Sequence, residues 1–75
     1  MLIYPNPAST KITIKIPDEY RNENFVTSIY DKNGSLIYSS NNEKEIDING
    51  LTIGTYTIKV KVGKSYNTQT IIKLR

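Results

Sequence analysis

Gly54-Thr55-Tyr56-Thr57-Ile58-Lys59-Val60-Lys61-Val62 is the stretch that decides the fold. Tyr56, Ile58, Val60 and Val62 share one parity, and Thr55, Thr57, Lys59 and Lys61 share the other. Successive side chains of a strand point to opposite faces, so this alternation predicts a half-buried strand with one dry and one wet surface.

The same period of two runs outward in both directions. Residues 11–16 alternate with Ile12, Ile14 and Ile16 inward, and Pro17 and Asp18 end the run. Residues 20–24 form a polar connection. Residues 25–30 are a strand whose inner face is open: either Phe25, Thr27 and Ile29 point inward, or Val26, Ser28 and Tyr30 do. Asp31-Lys32-Asn33-Gly34 is a hairpin signal, because Asn-Gly tolerates the positive φ of tight turns. Residues 35–39 form the return strand, and Asn41-Asn42 marks the next turn. Residues 44–48 are a short strand with Ile46 and Ile48 inward; Asn49-Gly50 breaks it, and Leu51 plugs the core. Gly63-Lys64-Ser65 is a turn, and residues 66–74 are the last strand. With residues 2–4 as a short first strand, seven strands are expected, with turn signals about every 8–12 residues. Leu51-Thr52-Ile53-Gly54-Thr55-Tyr56 matches a tyrosine corner, in which a tyrosine near a strand start turns its hydroxyl onto upstream backbone. The expected architecture is all-β: an immunoglobulin-like sandwich of about seven mainly antiparallel strands with Greek-key connections.

Size and composition narrow the function. A chain of 75 residues makes one small domain, residues 1–75, with little volume for a deep pocket. Folding a chain of this mass removes roughly 7,500 Å2 from water. The apolar part of that contributes about 110 kcal/mol. Conformational entropy costs about the same. The fold therefore depends on hydrogen bonding and close packing. Cysteine is absent, which excludes a disulfide scaffold and any thiolate metal site. Histidine is absent too, which removes the commonest general base and metal ligand. No serine or threonine has an activating partner, so the chain is expected to be no enzyme, with no catalytic residue, metal or cofactor. No apolar run approaches a membrane span, and direct membrane insertion is not expected. Residues 1–4 are too short for a signal-peptide core and Pro5 follows at once. An export signal would then lie on a larger protein of which this chain is a piece.

The motifs each have two readings. In Tyr4-Pro5-Asn6-Pro7-Ala8, two prolines fix φ and remove two backbone donors. The residues alone favour a stiff kink; the functional reading is a rigid exposed element that a receptor binds at little ordering cost. Asp31, Asn33 and Gly34 fit part of a calcium loop whose remainder is missing, so a turn is favoured. Asn33-Gly34-Ser35 matches a glycosylation sequon, a triplet frequent by chance. Glu43, Glu45 and Asp47 share a strand face, with Lys59 and Lys61 as the expected cross-strand complement. Lys11, Lys15, Lys59 and Lys61 form a candidate basic stripe, but no aromatic alternates with them and no nucleic-acid partner is expected. Outward lysines also guard strand edges. Six tyrosines raise a second functional reading, an accessory carbohydrate-binding or adhesion module of an exported enzyme. That module would stack sugars on rings such as Tyr30, Tyr38 and Tyr66.

An ordered series of these motifs carries a resemblance. It runs Tyr4-Pro5-Asn6-Pro7-Ala8, Ile12-x-Ile14, Ile29-Tyr30-Asp31-x-x-Gly34, Ile46-Asp47-Ile48-x-Gly50-Leu51-x-x-Gly54-x-Tyr56, and a close at Ile71-Ile72-Lys73. Over nearly its whole length the chain resembles the type A C-terminal sorting domain of the type IX (Por) secretion system of Bacteroidetes. The resemblance implies an immunoglobulin-like sandwich at the end of a larger secreted cargo. The cargo crosses the inner membrane by its own signal peptide, and the domain then directs it from the periplasm through the outer-membrane translocon to the cell surface or beyond. In many members a sortase-like protease removes the domain and attaches the cargo to the surface. By this resemblance Tyr4, Pro5, Asn6 and Pro7 belong to the proline motif, Gly54 and Tyr56 to a Gly-x-Tyr motif, and Ile71, Ile72 and Lys73 to the terminal motif. The implied partners are the translocon, the sortase-like components and the cargo. Members often carry a lysine where this chain has Thr70, and here Leu74 and Arg75 extend past the terminal lysine. A terminal strand with an open edge would suit recognition by strand addition.

Overall fold

A computed structural model of the chain describes residues 1–20 and 22–75. It contains seven strands: β1 (Leu2–Tyr4), β2 (Lys11–Lys15), β3 (Phe25–Tyr30), β4 (Leu36–Asn41), β5 (Glu45–Asp47), β6 (Gly54–Val62) and β7 (Ser65–Lys73). They form a three-stranded sheet, β1-β2-β5, and a four-stranded sheet, β4-β3-β6-β7. Every ladder between these strands is antiparallel. The chain changes sheets between β2 and β3, β4 and β5, and β5 and β6, which is the expected Greek-key sandwich.

The core is the meeting of the two inner faces. Ile3, Ile12, Ile14 and Ile46 come from one sheet and Ile29, Ile58, Val60, Val62 and Ile71 from the other, all buried. The alternation of β6 appears as predicted, with Tyr56, Ile58, Val60 and Val62 buried. Phe25, Thr27 and Ile29 take the inner positions of β3, which settles the strand whose face the pattern left open. Leu51 and Ile16 pack half-buried against the same cluster.

The departures have local causes. Ser35 belongs to the turn, because the Asp31 carboxylate accepts the backbone N–H groups of both Asn33 (2.9 Å) and Ser35 (3.0 Å). Gly34 takes φ 84° there. β4 therefore starts at Leu36 and runs to Asn41, and its register slips between Ile29 and Tyr30. The connection expected at residues 20–24 is preceded by a 3-10 turn, Asp18–Tyr20.

One pairing is corrected. β5 lies beside β2, so the complement of Glu45 is Lys11, whose ammonium donates to it at 2.9 Å. Lys59 and Lys61 lie in the other sheet, on β6. Opposite charges found their partners by topology, which a single strand's pattern does not encode. The four lysines form no single stripe for the same reason: Lys11 and Lys15 are on β2, in the three-stranded sheet.

Candidate recognition site

Gly54 and Tyr56 open β6, and each has a physical reason to be there. The Tyr56 hydroxyl donates to the Thr52 carbonyl at 2.7 Å and lies 3.1 Å from the Thr52 hydroxyl. Its ring is buried. This is the expected tyrosine corner, fixing the chain where it enters β6. Gly54 has φ 157°, a backbone region that side-chain-bearing residues rarely adopt. A Cβ there would meet nothing within 4 Å, so the glycine answers to backbone geometry rather than to crowding.

The terminal motif lies directly across this ladder. Tyr56 pairs with Ile71, Thr55 with Ile72 and Gly54 with Lys73. Ile71 and Lys73 are buried, and Ile72 faces out, 47% exposed. The Lys73 ammonium donates to the Leu74 carbonyl. Among the described residues the one ion pair is Lys11–Glu45, so Lys73 is held without a carboxylate.

The proline motif closes the other side of β7. Both X–Pro bonds, Tyr4–Pro5 and Asn6–Pro7, are cis. The Asn6 side chain acts like a peptide unit of a neighbouring strand. Its Nδ2 donates to the Thr70 carbonyl (3.1 Å), and its Oδ1 accepts the Ile72 N–H (3.0 Å). Ala8 continues the pairing in the parallel sense: its N–H donates to the Ile72 carbonyl (2.9 Å), and its carbonyl accepts the Leu74 N–H (2.7 Å). Ala8 is itself buried.

The nine candidate residues thus converge on one end of the sandwich and divide by burial. Tyr56, Ile71 and Lys73 are inside and hold the frame. Tyr4, Pro5, Asn6, Pro7 and Ile72 present surface. The terminal strand's edge, however, is not open where the motif lies. From Thr70 to Leu74 it is taken by Asn6 and Ala8, because those outward-pointing backbone groups are the ones the proline segment satisfies. The sequence marked residues 4–8 and 71–73 as separate motifs; it carried no sign that Asn6 and Ala8 bind β7. An amide side chain between two prolines is the one local hint, since the prolines leave the segment short of its own donors.

A family model described as the secretion system C-terminal sorting domain matches residues 2–74. The chain belongs to that family. Comparison with curated proteins gave no match. This sorting domain is the C-terminal signal for type IX secretion, a reading that fits the family where the sugar-binding module does not. It marks an exported protein, and it implies interaction with the type IX machinery.

Asp31 is spent on its own turn. No group of three or more metal-ligating side chains occurs among the described residues. A surface depression of about 470 Å3 is an open groove beside β5 lined by Thr10, Lys11, Glu45, Ile46, Asp47 and Asn49. Its charged groups are the Lys11–Glu45 pair and Asp47, whose carboxylate accepts the Asn49 N–H at 2.8 Å. The tyrosines are dispersed: Tyr56 in the corner, Tyr38 bonded to Glu43, and Tyr66 under Lys59, whose ammonium is 4.6 Å from the ring centre.

Proposed function

We propose that the type IX translocon reads the end of the sandwich where residues 4–8 clasp β7, as a folded label with no catalytic activity, metal or cofactor of its own. In this reading the domain trails a larger cargo, passes through the periplasm folded, and is handed at the surface to a sortase-like component that removes it. The observation that carries the reading is the clasp of Asn6 and Ala8 on Thr70–Leu74, which brings the proline, Gly-x-Tyr and terminal motifs to one place. Their buried members shape that end, and their exposed members, Tyr4, Pro5, Pro7 and Ile72, supply what a receptor touches.

Ile72 separates the label from the frame. The proline segment takes both of its backbone groups, but its side chain is exposed, so Ile72→Lys is expected to change stability by less than about 0.5 kcal/mol. Placed behind a signal peptide and a reporter in a type IX-competent bacterium, the wild-type domain is expected to bring the reporter to the surface. The Ile72→Lys form is expected to leave it in the periplasm while melting like the parent. Normal export of the variant would sink the reading.

A further inference from the structure

Asn-Gly occurs twice in the chain, at Asn33-Gly34 and Asn49-Gly50, and both pairs are exposed. An asparagine in this setting can react with its own backbone. The next residue's amide nitrogen attacks the side-chain carbonyl carbon, and glycine, with no Cβ, leaves that approach unhindered. The other asparagines precede proline, which has no N–H, or the larger Glu, Phe, Asn and Thr.

The two pairs occupy different positions in their turns. The first turn, Asp31-Lys32-Asn33-Gly34, is closed by the Gly34 N–H, which donates to the Asp31 carbonyl at 3.0 Å. The second, Ile48-Asn49-Gly50-Leu51, is closed by the Leu51 N–H, which donates to the Ile48 carbonyl at 3.0 Å. Closing a four-residue turn in this way uses the N–H of the fourth residue and leaves that of the third free. Gly34 is fourth in its turn and Gly50 is third. The Gly34 nitrogen is thus engaged, and its turn is held further by the Asp31 carboxylate, which accepts from Asn33 and Ser35. The Gly50 N–H meets no backbone acceptor among the described residues, and the Asp47 carboxylate accepts from Asn49 instead.

We propose that Asn49 is a site of spontaneous deamidation and backbone isomerisation, and that the fold protects Asn33 from the same reaction. The Gly50 nitrogen loses its proton to solvent base and bonds to Cγ of Asn49. The bond from Cγ to the side-chain nitrogen breaks, ammonia leaves, and a succinimide ring closes. Water then opens either carbonyl of the ring, giving aspartate, or isoaspartate with the main chain rerouted through Cβ. Both products add a carboxylate to the groove that already holds Glu45 and Asp47. Isoaspartate also inserts a methylene into the main chain between buried Ile48 and half-buried Leu51, just ahead of the tyrosine corner. Ageing therefore loosens the chain where it enters β6.

The test uses the chain alone, kept warm in mildly alkaline buffer and digested at intervals with trypsin, which puts Asn33 and Asn49 on separate peptides. Deamidation, read from the peptide masses, is expected to run at least threefold faster at Asn49 than at Asn33. The Asn49 peptide is expected to become a substrate for an isoaspartyl methyltransferase. In guanidinium chloride, where neither turn survives, the preference for Asn49 is expected to vanish. Gly50→Ala, whose Cβ would meet nothing within 4 Å, is expected to slow Asn49 at least fivefold and to leave Asn33 unchanged. The aged chain is expected to have a lower urea midpoint than Asn49→Asp, which gains the charge without the methylene. Equal rates in the folded chain, a preference that persists in guanidinium chloride, or a rate at Asn49 that Gly50→Ala leaves unaltered would overturn the assignment. An aged chain as stable as Asn49→Asp would overturn the loosening.

Discussion

Tyr56 shows how much of the Gly-x-Tyr motif is structural. Its hydroxyl is committed to the Thr52 carbonyl at 2.7 Å and its ring is inside the core. Tyr56→Phe keeps the packing and removes that bond. The expected cost is about 1 kcal/mol, the usual net worth of one hydrogen bond. It should appear as a lower urea midpoint at unchanged slope, since the surface exposed on unfolding is the same. A midpoint equal to the parent's would mean that the corner bond adds nothing. This residue was legible in the sequence because the corner is local: Thr52 and Tyr56 are four positions apart. Asn6 is the opposite case. Its partners Thr70 and Ile72 are 64 and 66 positions away, and no local pattern names them.

At the scale of the element, alternation reveals which side of a strand is dry but not which strand lies next to it. β2 and β6 were legible because each holds its apolar residues on one parity. β3 was not, because Val26 and Tyr30 are as apolar as Phe25 and Ile29; only the facing sheet decides. The same gap put Lys59 and Lys61 beside the acids of β5, where topology places Lys11. The clasp on β7 makes an element-scale prediction. Asn6→Ala removes two exposed hydrogen bonds and is expected to cost about 1 kcal/mol in all. Its clearer effect is local. The Ile72 N–H, which Asn6 protects, is expected to exchange with solvent at least tenfold faster, whereas the Ile71 amide stays within β7's ladder to β6 and follows global stability. Equal acceleration at both amides would show that the segment has no separate hold on the strand.

Across the whole molecule, the crossover from β4 to β5 ties the two sheets together, and two proton-linked contacts anchor it. Tyr38 on β4 donates its hydroxyl to Glu43, and Lys11 on β2 donates its ammonium to Glu45. Each contact favours the protonated donor. The hydrogen bond to Glu45, helped by that carboxylate's charge, raises Lys11 above its ordinary 10.5, although desolvation pulls slightly the other way. The hydrogen bond to Glu43, with smaller help from desolvation and charge, raises Tyr38 above its ordinary 10.0. A group that holds its proton more tightly when folded stabilises the fold fully below its unfolded pKa, and loses that contribution as pH climbs through the folded value. Both losses therefore fall on the alkaline side. The urea midpoint is expected to hold steady from about pH 7 to pH 9 and to decline above about pH 10. Both groups are solvent-accessible, so the decline is shallow and weakens further in high salt, which screens exposed pairs. Lys11→Met with Tyr38→Phe removes both donors, and the double variant's midpoint should fall less between pH 9 and about pH 11 than the parent's. An identical decline in the two proteins would place the alkaline sensitivity elsewhere, and the crossover would then owe its position to Ile46 and Ile48 in the core rather than to the charged contacts around them.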